Sequence, residues 1–410
     1  MEVKRLSRRI DFYYAAMQFT AFASSFVIFL YISVILQEKG FTNSEIGLTL
    51  ALGSGLSIVL PPLTAMYYTR HTHLPLRRIT AYVRIITFVF LLLLLVVHSP
   101  VALVSVIVII ISGTSISATP LVNALAMQFE NIGVSVNFGK ARAFGSLACA
   151  VMAYASGQLS THFGGSGAVV LVSLLLMAAS ALFTLFFPVP QNANSSHSPL
   201  PVSREIGFRL LKQPANLLFF LVMVLIWANT GILDTYQINI LQLWGGNEVD
   251  FGVMLMVMTL SEIPLALLFR PLSKRFSYTQ LMVAGFLGLL LKDISLLLSS
   301  SVAAVIIAQC FNLVTIVLIT SACVYYINGC TASEQTVQAQ ALFGGTAMAI
   351  GRIVGNLIAG AILDGAAAES AGIKTMLLVC IGFALVSLVL MRTSCRLRNK
   401  MLSAVPEATV

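Results

Sequence analysis

Apolar residues run along this chain in blocks of about twenty, the length a helix needs to cross the hydrocarbon of a bilayer. Short polar or basic breaks, often carrying Gly or Pro, separate them. Within a bilayer only helices and closed barrels satisfy their backbone groups. Barrel strands would alternate apolar and polar positions, and these blocks do not. Cutting at the breaks predicts twelve spanning helices, at 12–36, 44–68, 78–98, 101–128, 137–161, 167–187, 213–242, 250–271, 278–299, 302–327, 336–363 and 373–392. The stretch PVPQNANSSHSPLPVSRE, from Pro188 to Glu205, is the longest polar segment and reads as a linker. The expected organisation is an N-terminal six-helix bundle over 1–187, a cytoplasmic linker over 188–212, a C-terminal six-helix bundle over 213–400 and a cytoplasmic tail over 401–410.

Two pairs of segments match across the halves. GKARAFGS (139–146) opens span 5, and QAQALFGG (338–345) opens span 11 with a similar small-residue skeleton and no charge. SEIGLTLALGSGLSIVLPPL in span 2 parallels VDFGVMLMVMTLSEIPLALL in span 8. Two matches in the same order indicate a duplicated six-helix unit, a known plan for secondary transporters. Ala141, Gly145 and Ala148 share a helix face that lets a neighbouring backbone approach, and Ala339, Phe343, Gly351 and Gly355 suggest a looser version.

Composition narrows the class. Hydrophobic residues make up 58% and charged residues only 10%, where soluble domains carry about 25% charged residues. The expected fold class is therefore an all-α membrane protein, with twelve transmembrane helices in two pseudo-symmetric six-helix bundles. The net charge of +9 follows topology: nineteen of the 24 Lys and Arg residues fall in 4–9, 70–78, 140–142, 204–212, 270–275 and 392–400, on one side of the predicted membrane. That asymmetry sets both termini in the cytoplasm of a multi-pass plasma-membrane protein, the inner membrane in a bacterium. It also removes the reason to expect a nucleic-acid partner. The apolar run 12–36 is too long for a signal-peptide core and is expected to remain as a first span. The six cysteines are scattered in apolar segments and fit neither a disulfide framework nor a metal site. No phosphate-cradling loop, metal cluster or nucleophile–base pair is recognisable, so neither an enzyme nor a cofactor is expected. A monomer in the lipid bilayer is the expected unit.

Ionisable side chains inside the spans carry the candidate chemistry, because such groups are costly and face a bundle interior or a hydrated cavity. Arg142 shares its face with Ser146, Cys149 and Ala153, a stripe suited to a cavity wall, whereas Lys140 sits a turn nearer the interface. Asp234 in span 7, Glu262 in span 8, Lys292 in span 9 and Arg352 in span 11 lie at mid-membrane depth, two acids and two bases suited to pairing. Each acid reads either as a static ion pair or as a carboxyl that exchanges a proton as its partner moves. Asp293 projects about 100° away from Lys292 and belongs to another contact. Uncharged stripes add Gln18 and Ser25 in span 1, then Ser112, Ser115, Thr119 and Asn123 in span 4, then Gln309, Asn312 and Thr315 in span 10.

At NFGKARAFG (137–145), DTYQIN (234–239) and SEIPLALLF (261–269) the chain resembles the lactose permease-like branch of the major facilitator superfamily, whose members include oligosaccharide, phenylpropionate and nucleoside proton symporters. The resemblance implies the major facilitator fold. By the same resemblance, Arg142 would bind substrate, Glu262 would serve binding and coupling, and Asp234 would pair with a base in span 11, for which Arg352 is available. The sequence departs from the sugar permeases at Asn123, where they carry a glutamate, at Cys149, where they carry a stacking aromatic, and at Gln309, Asn312 and Thr315, where they carry charged proton-handling groups.

The expected function is thus secondary active transport by alternating access: proton-coupled uptake of a small polar organic solute such as a sugar, nucleoside or aromatic acid. Substrate-binding candidates are Arg142, Asn123, Thr119, Gln18, Glu262 and Asn312. Proton-coupling or charge-pair candidates are Asp234, Glu262, Lys292 and Arg352. Alternatives are an efflux antiporter of the same fold, disfavoured by the absence of proline from GSLACAVMAYASGQL in span 5, and a non-transporting membrane sensor.

Overall fold

A computed structural model describes residues 2–70, 74–130, 134, 136, 138–189, 209–330 and 339–403. The expected linker falls largely outside them. The described chain is helical throughout, as the apolar blocks require. In order it forms α1 (Glu2–Leu30), α2 (Ile32–Glu38), α3 (Asn43–Arg70), α4 (Leu76–Val96), α5 (Val101–Glu130), α6 (Phe138–Phe163) and α7 (Gly167–Leu185). There follow α8 (Pro214–Gln242), α9 (Glu248–Ser273), α10 (Tyr278–Leu297), α11 (Val302–Ala308), α12 (Ile316–Cys330), α13 (Ala347–Gly365) and α14 (Glu369–Ser403). Among the described residues ten helices are long and apolar enough to cross a membrane. The other two expected spans are present as α1–α2 and α6, whose side chains are described only in part.

Three spans are broken at positions that no proline marks. Span 1 bends at Tyr31 between α1 and α2. Span 10 runs through a 3-10 turn, Gln309–Val314, before α12. Span 11 opens with a π-helical turn, Ala341–Thr346, leading into α13. Wide turns of this kind often mark functional positions, because they free backbone groups and re-aim side chains.

Two compact units divide the chain: Met1–Leu200 with Gly246–Thr259, and Pro201–Gly245 with Leu260–Val410. In the first, α1 packs on α6 and α7, α3 on α5, and α4 on α5 and α7. The small residues of GKARAFGS explain one of these contacts: a Cβ on Gly145 would stand 3.0 Å from the ring of Phe22. The opening of α9 groups with this unit because Gly252 lies against the backbone of Ala153 and Gly157 in α6. In the second unit, α8 packs on α13 and α14, and α10 on α14 and α12. Here the close approach comes further along than the sequence match implies. Gly344, the counterpart of Gly145, has open space around it, while Gly351 and Gly355 press on the backbone of Val224 and Ala228 in α8.

The internal duplication is visible in the turns as well. Gly40 and Gly245, 205 positions apart, both take a left-handed conformation, with φ of 80° and 77°. Two residues later Thr42 and Asn247 each cap a helix reciprocally. The Thr42 amide donates to Glu45, whose own amide donates back to the Thr42 hydroxyl. Asn247 and Asp250 make the same exchange before α9. This is capping-box logic, written TNSE in one repeat and NEVD in the other. A further pair of equivalent bonds ties the first helix of each unit to its last. The Ser24 hydroxyl donates to the Ser173 carbonyl at 2.9 Å, and 205 positions on, the Asn229 amide donates to the Cys380 carbonyl at 2.9 Å.

Candidate functional site

Polar side chains predicted to line a cavity occur in both units. In the first, α1 carries Tyr14 and Gln18 one turn apart, so both project from one face toward α5. The Tyr14 hydroxyl donates to Asn123 Oδ1 at 3.1 Å, and Gln18 Nε2 donates to Tyr14 at 3.0 Å and to Asn123 at 3.4 Å. Gln18 is buried and Asn123 is exposed, so the network leads from the helix interior to an open surface. Thr119 lies on α5 and Arg142 on α6, but their side chains fall outside the described residues. The same holds for Lys140.

The second unit has the denser arrangement. Asp234 on α8 and Arg352 on α13 form an ion pair at 2.5 Å, each partly exposed. Glycines explain how Arg352 reaches α8: Gly231 faces its Cα and stem, and Gly351 and Gly355 bring the two helices together. Lys292 and Glu262 are joined through a neutral residue. Lys292 Nζ donates to Asn312 Oδ1 at 2.9 Å, and Asn312 Nδ2 donates to Glu262 Oε1 at 3.3 Å. Thr315 adds a third bond, its hydroxyl donating to Asn312 Oδ1 at 3.2 Å. Asn312 sits inside the 3-10 turn of span 10, and the break in the helix is what presents it to α9 and α10 together. Lys292 is buried, 4% exposed, and an amide oxygen is a modest partner for an ammonium at that depth. In the same 3-10 turn Gln309 is fully buried, and neither its side-chain nitrogen nor its side-chain oxygen has a partner among the described residues.

The arrangement can do two things chemically. Neutral donors and acceptors on Gln18, Tyr14 and Asn123 suit hydroxyls or ring nitrogens of a polar solute. The Lys292–Asn312–Glu262 chain holds a cation and an acid apart by one amide, so adding a proton to Glu262 or moving the lysine changes the hydrogen bonds of all three. Sequence reading singled out Gln18, Asn123, Glu262, Asn312, Lys292, Asp234 and Arg352, but missed Tyr14 and Asn229. Tyr14 had a local signal in its i, i+4 spacing to Gln18. Asn229 had none, since its partners Asp293 and Cys380 lie 64 and 151 residues away.

Comparison with known proteins adds a family. Residues 12–373 match the profile of the MFS_1 like family. A crystal structure of the nucleoside transporter NupG superposes with a TM-score of 0.79 at 17% identity, covering 96% of this chain and 99% of that one. A bacterial homologue of the human lysosomal transporter Spinster, in an inward-facing and occupied conformation, gives 0.73 at 12% identity, over 95% and 97%. The POT family transporter PepTSo gives 0.69 at 13% identity, over 96% and 98%. At these identities the likeness establishes a shared fold. Among curated proteins none matches the sequence.

Proposed function

Because the chain belongs to the MFS_1 like family, we propose that it is a secondary active transporter, taking up a small polar organic solute together with protons by alternating access. It works as a single chain in a plasma membrane, the inner membrane in a bacterium, with both termini in the cytoplasm and no nucleic-acid partner. The observation that carries this reading is the Lys292–Asn312–Glu262 chain, an ionisable pair held apart by a neutral relay deep in a helical bundle. A purely structural pair would be expected to close directly, because a lone buried charge is costly. Gln18, Thr119, Asn123 and Arg142 in the first unit, and Glu262 and Asn312 in the second, recognise the solute. Asp234, Glu262, Lys292 and Arg352 manage the charge.

The fold shared with a nucleoside transporter makes nucleosides the first substrate class to test, ahead of sugars and aromatic acids. The abundance of neutral hydrogen-bonding groups favours the same order. A thermal-shift screen of the purified protein against these three classes tests the reading. One class should raise Tm, and Arg142→Ala and Glu262→Gln should abolish the shift while remaining monodisperse. No shift with any class, or full shifts in both variants, would contradict it.

A further inference from the structure

Asp293 on α10 takes no part in the chain of bonds around Lys292, although it is the next residue. It is fully buried, 0% exposed. Its Oδ2 accepts from Asn229 Nδ2 at 2.6 Å, and the same amide nitrogen donates to the Cys380 carbonyl at 2.9 Å. Those two bonds use both amide hydrogens and fix which end of the amide is nitrogen. What remains is two buried oxygens, Asp293 Oδ1 and Asn229 Oδ1, neither with a hydrogen-bond donor among the described residues. A hydrogen carried by one of two orphan acceptors on a bonded pair meets both at once.

From this geometry we infer that Asp293 is a proton-binding site, holding a hydrogen on Oδ1 that it donates to the Asn229 amide oxygen. The acid and amide are then joined reciprocally, Nδ2–H to Oδ2 and Oδ1–H to Oδ1, and no buried acceptor is left unmet. Removing the proton returns it to water and leaves a carboxylate with one donor in a sealed interior, the most expensive way to bury the group.

Two further observations point the same way. At depth the second unit carries three acids, Asp234, Glu262 and Asp293, against two bases, Lys292 and Arg352. With Asp293 neutral the remaining four balance. The duplication supplies the other. Ser24, the counterpart of Asn229, makes the equivalent helix-to-helix bond with a hydroxyl, and among the described residues no acid is bonded to it. The packing bond therefore does not require Asp293, and the second repeat carries an acid that the first omits.

Lys292 acts on Asp293 through space, but among the described residues no charged group is hydrogen-bonded to it. Lys292 on its own helix is engaged with Asn312, and Asp234 on α8 is engaged with Arg352. Asn229 on α8 is neutral, and α14 brings the buried Cys380. The remaining packed elements, α11, the 3-10 turn and α12, bring Cys310, Cys323, Tyr325 and Tyr326, none bonded to it. Any part Asp293 plays in transport rests on the proton-driven reading above, whereas its proton does not.

Infrared difference spectroscopy of the purified full chain, with and without carboxyl-13C aspartate, tests the site. The chain has five aspartates, Asp11, Asp234, Asp250, Asp293 and Asp364. The expected result is one isotope-shifted band of a protonated carboxyl at about pH 7 in the native chain, lost in Asp293→Asn. No such band in the native chain overturns the proposal without recourse to any variant, as does a band that survives in Asp293→Asn. In proteoliposomes Asp293→Asn should lose pH-gradient-driven accumulation but keep solute exchange; unchanged accumulation would contradict a coupling role. Should native accumulation ignore the gradient, the proton-driven reading falls and the band still decides Asp293.

Discussion

At Asn312 one side chain accepts from Lys292 and Thr315 and donates to Glu262, so three residues from separate segments depend on a single amide. Its removal strands a buried ammonium. Asn312→Ala should lower stability by about 1–3 kcal/mol, the cost of leaving a buried partner unmet, and Asn312→Gln should recover part of it; thermal unfolding in detergent reads both. Comparable Tm values for the native chain and Asn312→Ala would show that Lys292 has another partner. The participants here were legible because ionisable and amide side chains stand out against apolar blocks. Their connectivity was not. Two acids and two bases at one depth suggest two direct pairs, but only Asp234 and Arg352 meet that way, while Glu262 and Lys292 are joined through an amide brought in by a broken helix. Tyr14 escaped although its i, i+4 spacing to Gln18 was a local signal, whereas Asn229 escaped because its partners lie more than sixty residues away.

Among the elements, the glycine pattern separates sequence resemblance from physical role. GKARAFGS and QAQALFGG share a skeleton, yet Gly145 packs on Phe22 while Gly344 and Gly345 meet nothing within 4 Å. The glycines that join α8 to α13 are Gly351 and Gly355, one turn apart and set against the α8 backbone. A Cβ on Gly351 would stand 2.5 Å from the Val224 carbonyl oxygen, and backbone cannot step aside as a side chain can. Overpacking of that kind typically costs about 1–3 kcal/mol. Gly351→Val should therefore reduce the yield of monodisperse protein on size exclusion, and Gly345→Ala should not. An equal response would mean that α13 is free to shift on α8. Spans were readable from length and hydropathy, and the matched opening of α3 and α9 pointed to the repeat before the paired capping boxes came into view. The breaks at Tyr31, Gln309–Val314 and Ala341–Thr346 were not readable, since no proline marks them and α-helical, 3-10 and π turns tolerate the same residues.

For the molecule as a whole, duplication, family and charge placement converge on one design. Each repeat is built from the same turn and the same bond between two of its helices. Onto that scaffold the second repeat adds five ionisable groups at depth, while the described part of the first contributes mainly neutral ones and the buried Arg84. In the proposed transporter, solute recognition would draw on both units, while the charge pairs lie in the second. The most direct test is uptake by proteoliposomes of whichever solute raises Tm, measured with an inward proton gradient, without one, and with a protonophore. Accumulation that rises with the gradient and collapses when the protonophore is added is the predicted result. Folded protein that moves the solute equally under all three conditions, or moves none, would contradict the account.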